Sequence, residues 1–224
     1  MPPMHVTPAF AEPVLDSQAV FDRAMDDLLT LDPRLRPVFA ACGRPTLRRR
    51  PPGFAGLSAV VVAQQLSVAA ARAIQARLEA ALGPLTPPAL LAADAGVLRA
   101  AGLSAPKIRT LTGIAQALVS GTVDLAHVEG LEADAAATYL TGLPGIGLWT
   151  ADIYLLFCLG RGDAFPHGDL ALQVAAGEAF GLPGRASAQG LKAIAEDWRP
   201  FRGVAAQLLW AYYGVRRARI GTPT

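Results

Sequence analysis

Lysine is almost missing from this chain. Of 20 basic residues only Lys107 and Lys192 are lysines, and the rest are arginines. Arginine forks suit phosphates, but a GC-rich genome leaves the same bias, so the basic residues by themselves name no partner. Charge is sparse too: 17% of residues are charged, the net charge is +2 and the pI is near 8.7. Overall charge therefore does not announce nucleic acid. Cys42 and Cys158 are the only cysteines. Two thiols cannot ligate an iron–sulfur cluster, which takes four, and a reduced cytoplasmic protein is the expectation. His127 and His167 show no metal-ligand spacing, so no metal site is expected. No run alternates with period two for long enough to demand a sheet, and no repeat period stands out. The N-terminus lacks a basic segment followed by an apolar one, so no secretory signal is expected.

What is present is apolar and helical. Hydrophobic residues make up 52% of 224, ample for a core. Residues 1–15 are Pro-rich and read as a loose tail. Helical spacing then covers 17–29, 34–42, 56–82 (one helix or two abutting), 87–93, 95–101, 106–120, 133–141, 148–159, 169–180, 187–198 and 200–219. Gly, Pro or Ser/Thr bound most of these segments. The stretch from Gly53 to Ala71 carries no charge and is long enough to suggest a membrane span. Gln64 and Gln65 inside it point instead to a buried helix of a soluble protein. Short turns between many helices argue an all-α fold. Two basic clusters, Arg48-Arg49-Arg50 and Arg216-Arg217-Arg219, read as solvated faces or phosphate steering.

The most informative segment is Leu143-Pro144-Gly145-Ile146-Gly147-Leu148-Trp149-Thr150-Ala151. Pro144 and Gly145 end one helical stretch and Gly147 opens the next. Glycine permits φ > 0 and has no Cβ to hold a ligand away. A tight turn opening a helix presents backbone N–H groups to an anion. An ordinary helix corner would use the same punctuation. Soon after comes Pro166-His167-Gly168-Asp169, which sets one carboxylate at the start of a helix. Asp is a common N-cap, and the same place favours its ionised form. Asp152, Asp163, Glu178 and Asp197 are the rival carboxylates nearby. Asp152 and Asp163 read as structural.

This string resembles the helix-hairpin-helix of the DNA glycosylase superfamily, most closely its alkylation-repair branch, the 3-methyladenine DNA glycosylase II type. Further segments agree in order: Gln64-Gln65-Leu66-Ser67, Ala101-Gly102-Leu103-Ser104 with Lys107, Asp163 to Leu170, and Trp198 to Arg202 with Trp210. Phe201 stands where a tryptophan is usual. The resemblance runs from about Phe54 to Tyr213. It implies a two-lobed helical fold with an interlobe cleft: a central lobe at 57–163, and a second lobe made of 16–56 with 164–224. The residues ahead of Phe54 are too few for the N-terminal β domain of some relatives, so the compact form without it is expected.

The resemblance also assigns roles. Asp169 would be the catalytic carboxylate that stabilises an oxocarbenium-like sugar and orients water. Relatives that also cut the DNA backbone carry a lysine where Trp149 stands. Tryptophan cannot form a Schiff base, so a monofunctional enzyme that leaves an abasic site is implied. Trp149, Trp210 and Phe54 would wall the base pocket, because aromatic faces attract a cationic alkylated ring. Ile153 and Leu170 replace tyrosines of some relatives, and Gln173 replaces an arginine. Gln64, Gln65 and Ser67, with Gly145, Ile146, Gly147 and Thr150, would contact DNA. Gln65 would fill the gap left by the flipped base. The partner is duplex DNA with a damaged base, the protein a nucleoid-associated monomer. No cofactor is required; a monovalent cation on hairpin carbonyls is compatible with the family. Three other readings stay open: the same scaffold acting on uracil, hypoxanthine or oxidised bases, a DNA-damage binder without catalysis, and an all-helical interaction protein with a chance Pro-Gly corner.

Overall fold

The computed structural model describes residues 12–220, and among them there is no strand, only an isolated antiparallel bridge between Val14 and Arg161. The all-α expectation holds. Helices α1 (Gln18–Leu31) and α2 (Arg36–Cys42) come first. Next are α3 (Gly53–Ala63), α4 (Val68–Leu82), α5 (Pro87–Ala92), α6 (Ala95–Ala100) and α7 (Ala105–Val119). Then follow α8 (Leu125–Glu129), α9 (Ala133–Thr141), α10 (Leu148–Tyr154), α11 (Leu170–Ala179), α12 (Ala188–Glu196) and α13 (Arg202–Ile220). Among the described residues no helix is long and apolar enough to cross a membrane.

The chain forms two compact units. One holds the described residues up to Leu47 and those from Arg161 onward; the other is Arg48–Gly160. Both boundaries thus lie nearer the N-terminus than those of the 57–163 span read from the sequence, at Arg48 in place of 57 and Gly160 in place of 163. The reason lies in the connectors. Arg50 donates its amide to the Phe157 carbonyl at 2.8 Å, and Arg49 reaches the Cys158 carbonyl at 3.1 Å, so both belong with the second unit. Arg161 and Asp163 belong with the first, through Glu12, Arg199 and Arg202.

Phe21, Met25 and Leu28 on α1, Leu172 on α11, Leu191 on α12, and Leu208 on α13 are buried in the first unit. Trp198 is fully buried there, and its indole N–H donates to Asp32 at 2.7 Å. A buried tryptophan needs such a partner for its one polar atom. Asp163 accepts from both Arg199 (2.9 Å) and Arg202 (2.8 Å), which fits its structural reading. In the second unit the core comes from Leu57, Val60 and Val61 on α3, Leu111 and Ile114 on α7, Leu140 on α9, and Tyr154 on α10.

Four local expectations change. Of the tail expected over residues 1–15, residues 1–11 lie outside the described residues. Residues 12–15 are anchored: Glu12 accepts from Arg161 Nε at 2.6 Å and from the Asp163 amide at 3.1 Å, and Leu15 is fully buried. The apolar stretch from Gly53 to Ala71 is not one buried helix. It breaks at Gln64–Ser67, and Gln65, Leu66, Ser67 and Val68 are exposed. Helix α8 was not visible in the periodicity; Asp124 starts it by accepting the Ala126 amide at 2.8 Å. The second hairpin helix widens into a π-helical turn at Leu155–Leu159 and ends at Gly160 with φ +75°.

Candidate functional site

The hairpin between α9 and α10 is built from the inside. Leu143 donates to the Leu140 carbonyl and Ile146 to the Leu143 carbonyl, each at 3.1 Å. Gly145 has φ +77°, and a Cβ there would lie 2.2 Å from Thr110 Oγ1 on α7. Both its dihedral and its neighbour demand glycine. Gly147 differs. It is the N-cap of α10 with an ordinary extended backbone (φ −93°, ψ 171°), no side chain caps the helix, and a Cβ would meet nothing within 4 Å. The fold does not require glycine at 147; what its absence of a Cβ provides is open space beside the backbone. Ile146 and Thr150 point inward: Ile146 is buried with its amide bonded inside the turn, and the buried Thr150 hydroxyl accepts from Gln64 Nε2 at 2.8 Å. The side chains of these two residues build the hairpin, and Gly145 and Gly147 form its exposed edge.

The Gln64–Ser67 turn belongs to the same unit. Gln64 is held by Thr150, and Gln65 is exposed with φ +57°, the one positive-φ non-glycine among the described residues. Such a backbone is unfavourable for a side chain other than glycine. Ser67 caps α4 by accepting the Ala70 amide at 3.2 Å, so its hydroxyl has a structural partner. Gln64, Gln65, Trp149 and Thr150 line a concavity of about 310 Å³. Phe54 is buried in the first turn of α3 and is not among its walls.

Asp169 lies in the other unit. It is the N-cap of α11: Oδ1 accepts the Leu172 amide at 3.1 Å. The same oxygen accepts from Trp210 Nε1 at 3.1 Å, so the expected carboxylate and one expected pocket tryptophan are in contact. The loop leading to it is closed by His167 N–H to Phe165 carbonyl and Asp169 N–H to Pro166 carbonyl, both 2.8 Å. The rivals have other work: Glu178 pairs with Arg216, Asp197 with Arg34, and Asp152 is buried on α10. Leu170 is 57% exposed, whereas Ile153 is buried.

Two residues carry more than their sequence context disclosed. Gln173 is buried and donates from Nε2 to the His167 carbonyl at 3.1 Å, pinning the loop before Asp169. Its place one turn into α11 was the only signal. Lys107 donates to the carbonyls of Val62 (2.6 Å) and Gln64 (2.9 Å), and burial lowers its pKa from the ordinary lysine value. Nothing local to residues 62–64 indicates a partner more than 40 positions away. Burial pushes the Cys158 thiol up to about 12, which keeps it protonated and unreactive. Among the described residues no three His, Cys, Asp or Glu side chains come together to hold a metal ion.

Comparison with known proteins places this geometry. A family described as "HhH-GPD superfamily base excision DNA repair protein" matches residues 58–200. A Mycobacterium tuberculosis protein named "Probable bifunctional transcriptional activator/DNA repair enzyme AlkA" is 34% identical over 197 residues, covering 84% of this chain and 39% of that protein. The chain thus spans about two fifths of the length of that relative. Among solved structures, a DNA-3-methyladenine glycosidase from Bacillus halodurans superposes with a TM-score of 0.77 at 31% identity, over 92% of this chain and 93% of the other. The 3-methyladenine DNA glycosylase of Schizosaccharomyces pombe in complex with abasic DNA gives a TM-score of 0.75 at 30% identity, over 84% and 95%.

Proposed function

Because the chain belongs to the HhH-GPD superfamily of base excision DNA repair proteins, we propose that it is a monofunctional DNA glycosylase that flips alkylated bases out of duplex DNA and hydrolyses their glycosidic bonds. Bases of the 3-methyladenine and 7-methylguanine type are its substrates, and an abasic site is its product. The observation that carries this reading is Asp169 Oδ1, held at once by the start of α11 and by the Trp210 indole. A carboxylate fixed by two donors is preorganised for the positive charge that develops on the sugar.

In the reaction the C1′–N bond breaks and its electron pair leaves with the base, cancelling the positive charge of the alkylated ring. A water oxygen bonds to C1′ and gives its proton to Asp169 or to solvent. The leaving group is already cationic, so no acid is needed at the base. Aromatic faces favour such a ring, and Trp210, in contact with Asp169, supplies one. Two observations support hydrolysis without a lyase step: Trp149 occupies the hairpin position of a lysine nucleophile, and the Lys107 ammonium is engaged by two carbonyls.

DNA is held in this reading by the exposed edge of the hairpin, where the open space over Gly147 admits a phosphate to the backbone amides. Gln65 fills the vacated site. A monovalent cation on the hairpin carbonyls is part of the same proposal, since a carbonyl that accepts one N–H keeps a second lone pair.

The test is a panel of lesion-bearing duplexes with released bases identified by mass spectrometry. Methylated purines are expected, with strands nicked only after alkali or heat. Release of uracil, hypoxanthine or 8-oxoguanine in their place sinks the substrate assignment. A borohydride-trapped protein–DNA adduct sinks the monofunctional one.

A further inference from the structure

Helix α3 ends in an unusual way. A helix leaves its last four carbonyls without internal partners, and the common solution is a glycine in the left-handed conformation just past the end. Here that conformation falls on Gln65. The carbonyls from Val61 to Gln64 each have a partner. Val61 accepts from the Gln64 amide and Ala63 from the Leu66 amide, both at 3.2 Å. Val62 and Gln64 accept from Lys107. The ammonium therefore takes two acceptors that the turn cannot satisfy from its own amides.

Lys107 stands on the face of α7 that also supports the hairpin. One turn on, Thr110 lies under Gly145; one further turn on, Gly113 leaves 3.6 Å between its notional Cβ and the Pro144 ring. Residues spaced three apart share a helix face. Helix α7 thus fixes the hairpin through Thr110 and Gly113 and the Gln64–Ser67 turn through Lys107. These two structures are the ones read above as the DNA grip and the gap filler.

We propose that Lys107 is the positioning residue for base flipping: its ammonium, by holding the Val62 and Gln64 carbonyls, keeps the turn in the shape that presents the Gln65 side chain. A glycine at 65 would make the turn easily but would leave nothing to insert. Lysine at 107 lets a residue with a side chain occupy the left-handed position. This rests on the reading of Gln65 as the gap filler.

Lys107→Met, which keeps the length and removes the donor, and Lys107→Arg, which keeps a donor, test it. Hydrogen exchange on the free protein comes first, since it needs no DNA and no activity. In Lys107→Met the peptide over residues 63–67 is expected to exchange about tenfold faster, the weight of losing a hydrogen bond from a charged donor. The hairpin peptide over 141–150 is expected to keep its wild-type rate, and Lys107→Arg to restore part of the protection. Flipping is then read from 2-aminopurine fluorescence beside an abasic analogue. It is expected to fall by up to about fivefold in Lys107→Met, the most that loss of the inserting side chain can cost, while affinity for undamaged duplex stays within about twofold. Unchanged exchange at 63–67, or acceleration spread equally over the hairpin, overturns the proposal. So does faster exchange with normal flipping. A wild-type protein that shows no preference for the abasic analogue overturns the functional reading instead, and the exchange result separates the two failures.

Discussion

Two short segments of this protein each open a helix with a capping oxygen, and they are held in opposite ways. In the loop ending at Asp169 the backbone is relaxed: Asp169 has φ −70° and ψ 124°, ordinary values for an N-cap. Restraint comes from side chains and from burial, with Phe165 and Pro166 buried, Gln173 on the His167 carbonyl, and Trp210 on the carboxylate. In the turn ending at Ser67 the backbone is strained at Gln65 and its tip is exposed. Restraint comes from its base, through Lys107 and the Gln64–Thr150 bond. The difference matches the two tasks proposed for these segments. A charge that stabilises a transition state must not reorganise during the reaction. A side chain that enters a base stack must project from a support and remain reachable.

The strongest way to break this comparison is Asp169→Asn. Asparagine caps a helix about as well as aspartate, so stability is expected to stay within about 0.5 kcal/mol in a denaturant titration. Base release in single turnover is expected to fall by about a thousandfold or more, with binding to abasic-analogue DNA largely retained. If Asp169→Asn turns over at the wild-type rate, Asp169 is a cap and nothing else. Next in size is Trp210→Phe. A six-membered aromatic face stays, and the N–H to Oδ1 is lost with the five-membered ring. Release is expected to slow by about tenfold, as for one hydrogen bond to a charged group, with binding of the abasic analogue unchanged. A drop in binding with no drop in rate would make Trp210 a wall of the pocket and not a restraint on the carboxylate.

Much of this was legible along the chain. Asp169 marked a helix start, and it accepts the amide expected of a cap. The cap reading of Asp169 is seen directly: Oδ1 takes the helix amide and also the Trp210 N–H. Whether 56–82 was one helix or two stayed open, because no glycine or proline marks the break at Gln65. Two carbonyls at the end of α3 are taken by a lysine 45 positions from Val62 and 43 from Gln64, and periodicity carries no trace of such a contact. Helix α8 has five residues, too few to show a 3.6-residue pattern. The burial of Ile146 and Thr150, the latter bonded to Gln64, and the close approach of Gly145 to Thr110 are long-range contacts, which composition of the motif does not disclose.

The smallest effect is the one that bears most directly on where the strain sits. Gln65→Ala and Gln65→Gly both remove the inserting side chain, but only glycine relieves the left-handed backbone. The glycine variant should be the more stable of the two by about 0.5–1 kcal/mol. The relief of about 1–2 kcal/mol is partly offset by glycine's greater freedom when unfolded. Both variants should lose base flipping by a similar factor, about fivefold, since each leaves the vacated stack unfilled. Equal stabilities would mean that the turn is not strained in solution, and the contrast with the Asp169 loop would collapse. Flipping that survives in alanine but not in glycine would shift the function from the side chain to the rigidity of the turn. Loss of flipping in both, with glycine the more stable, would show that position 65 keeps an unfavourable backbone for the sake of what it carries.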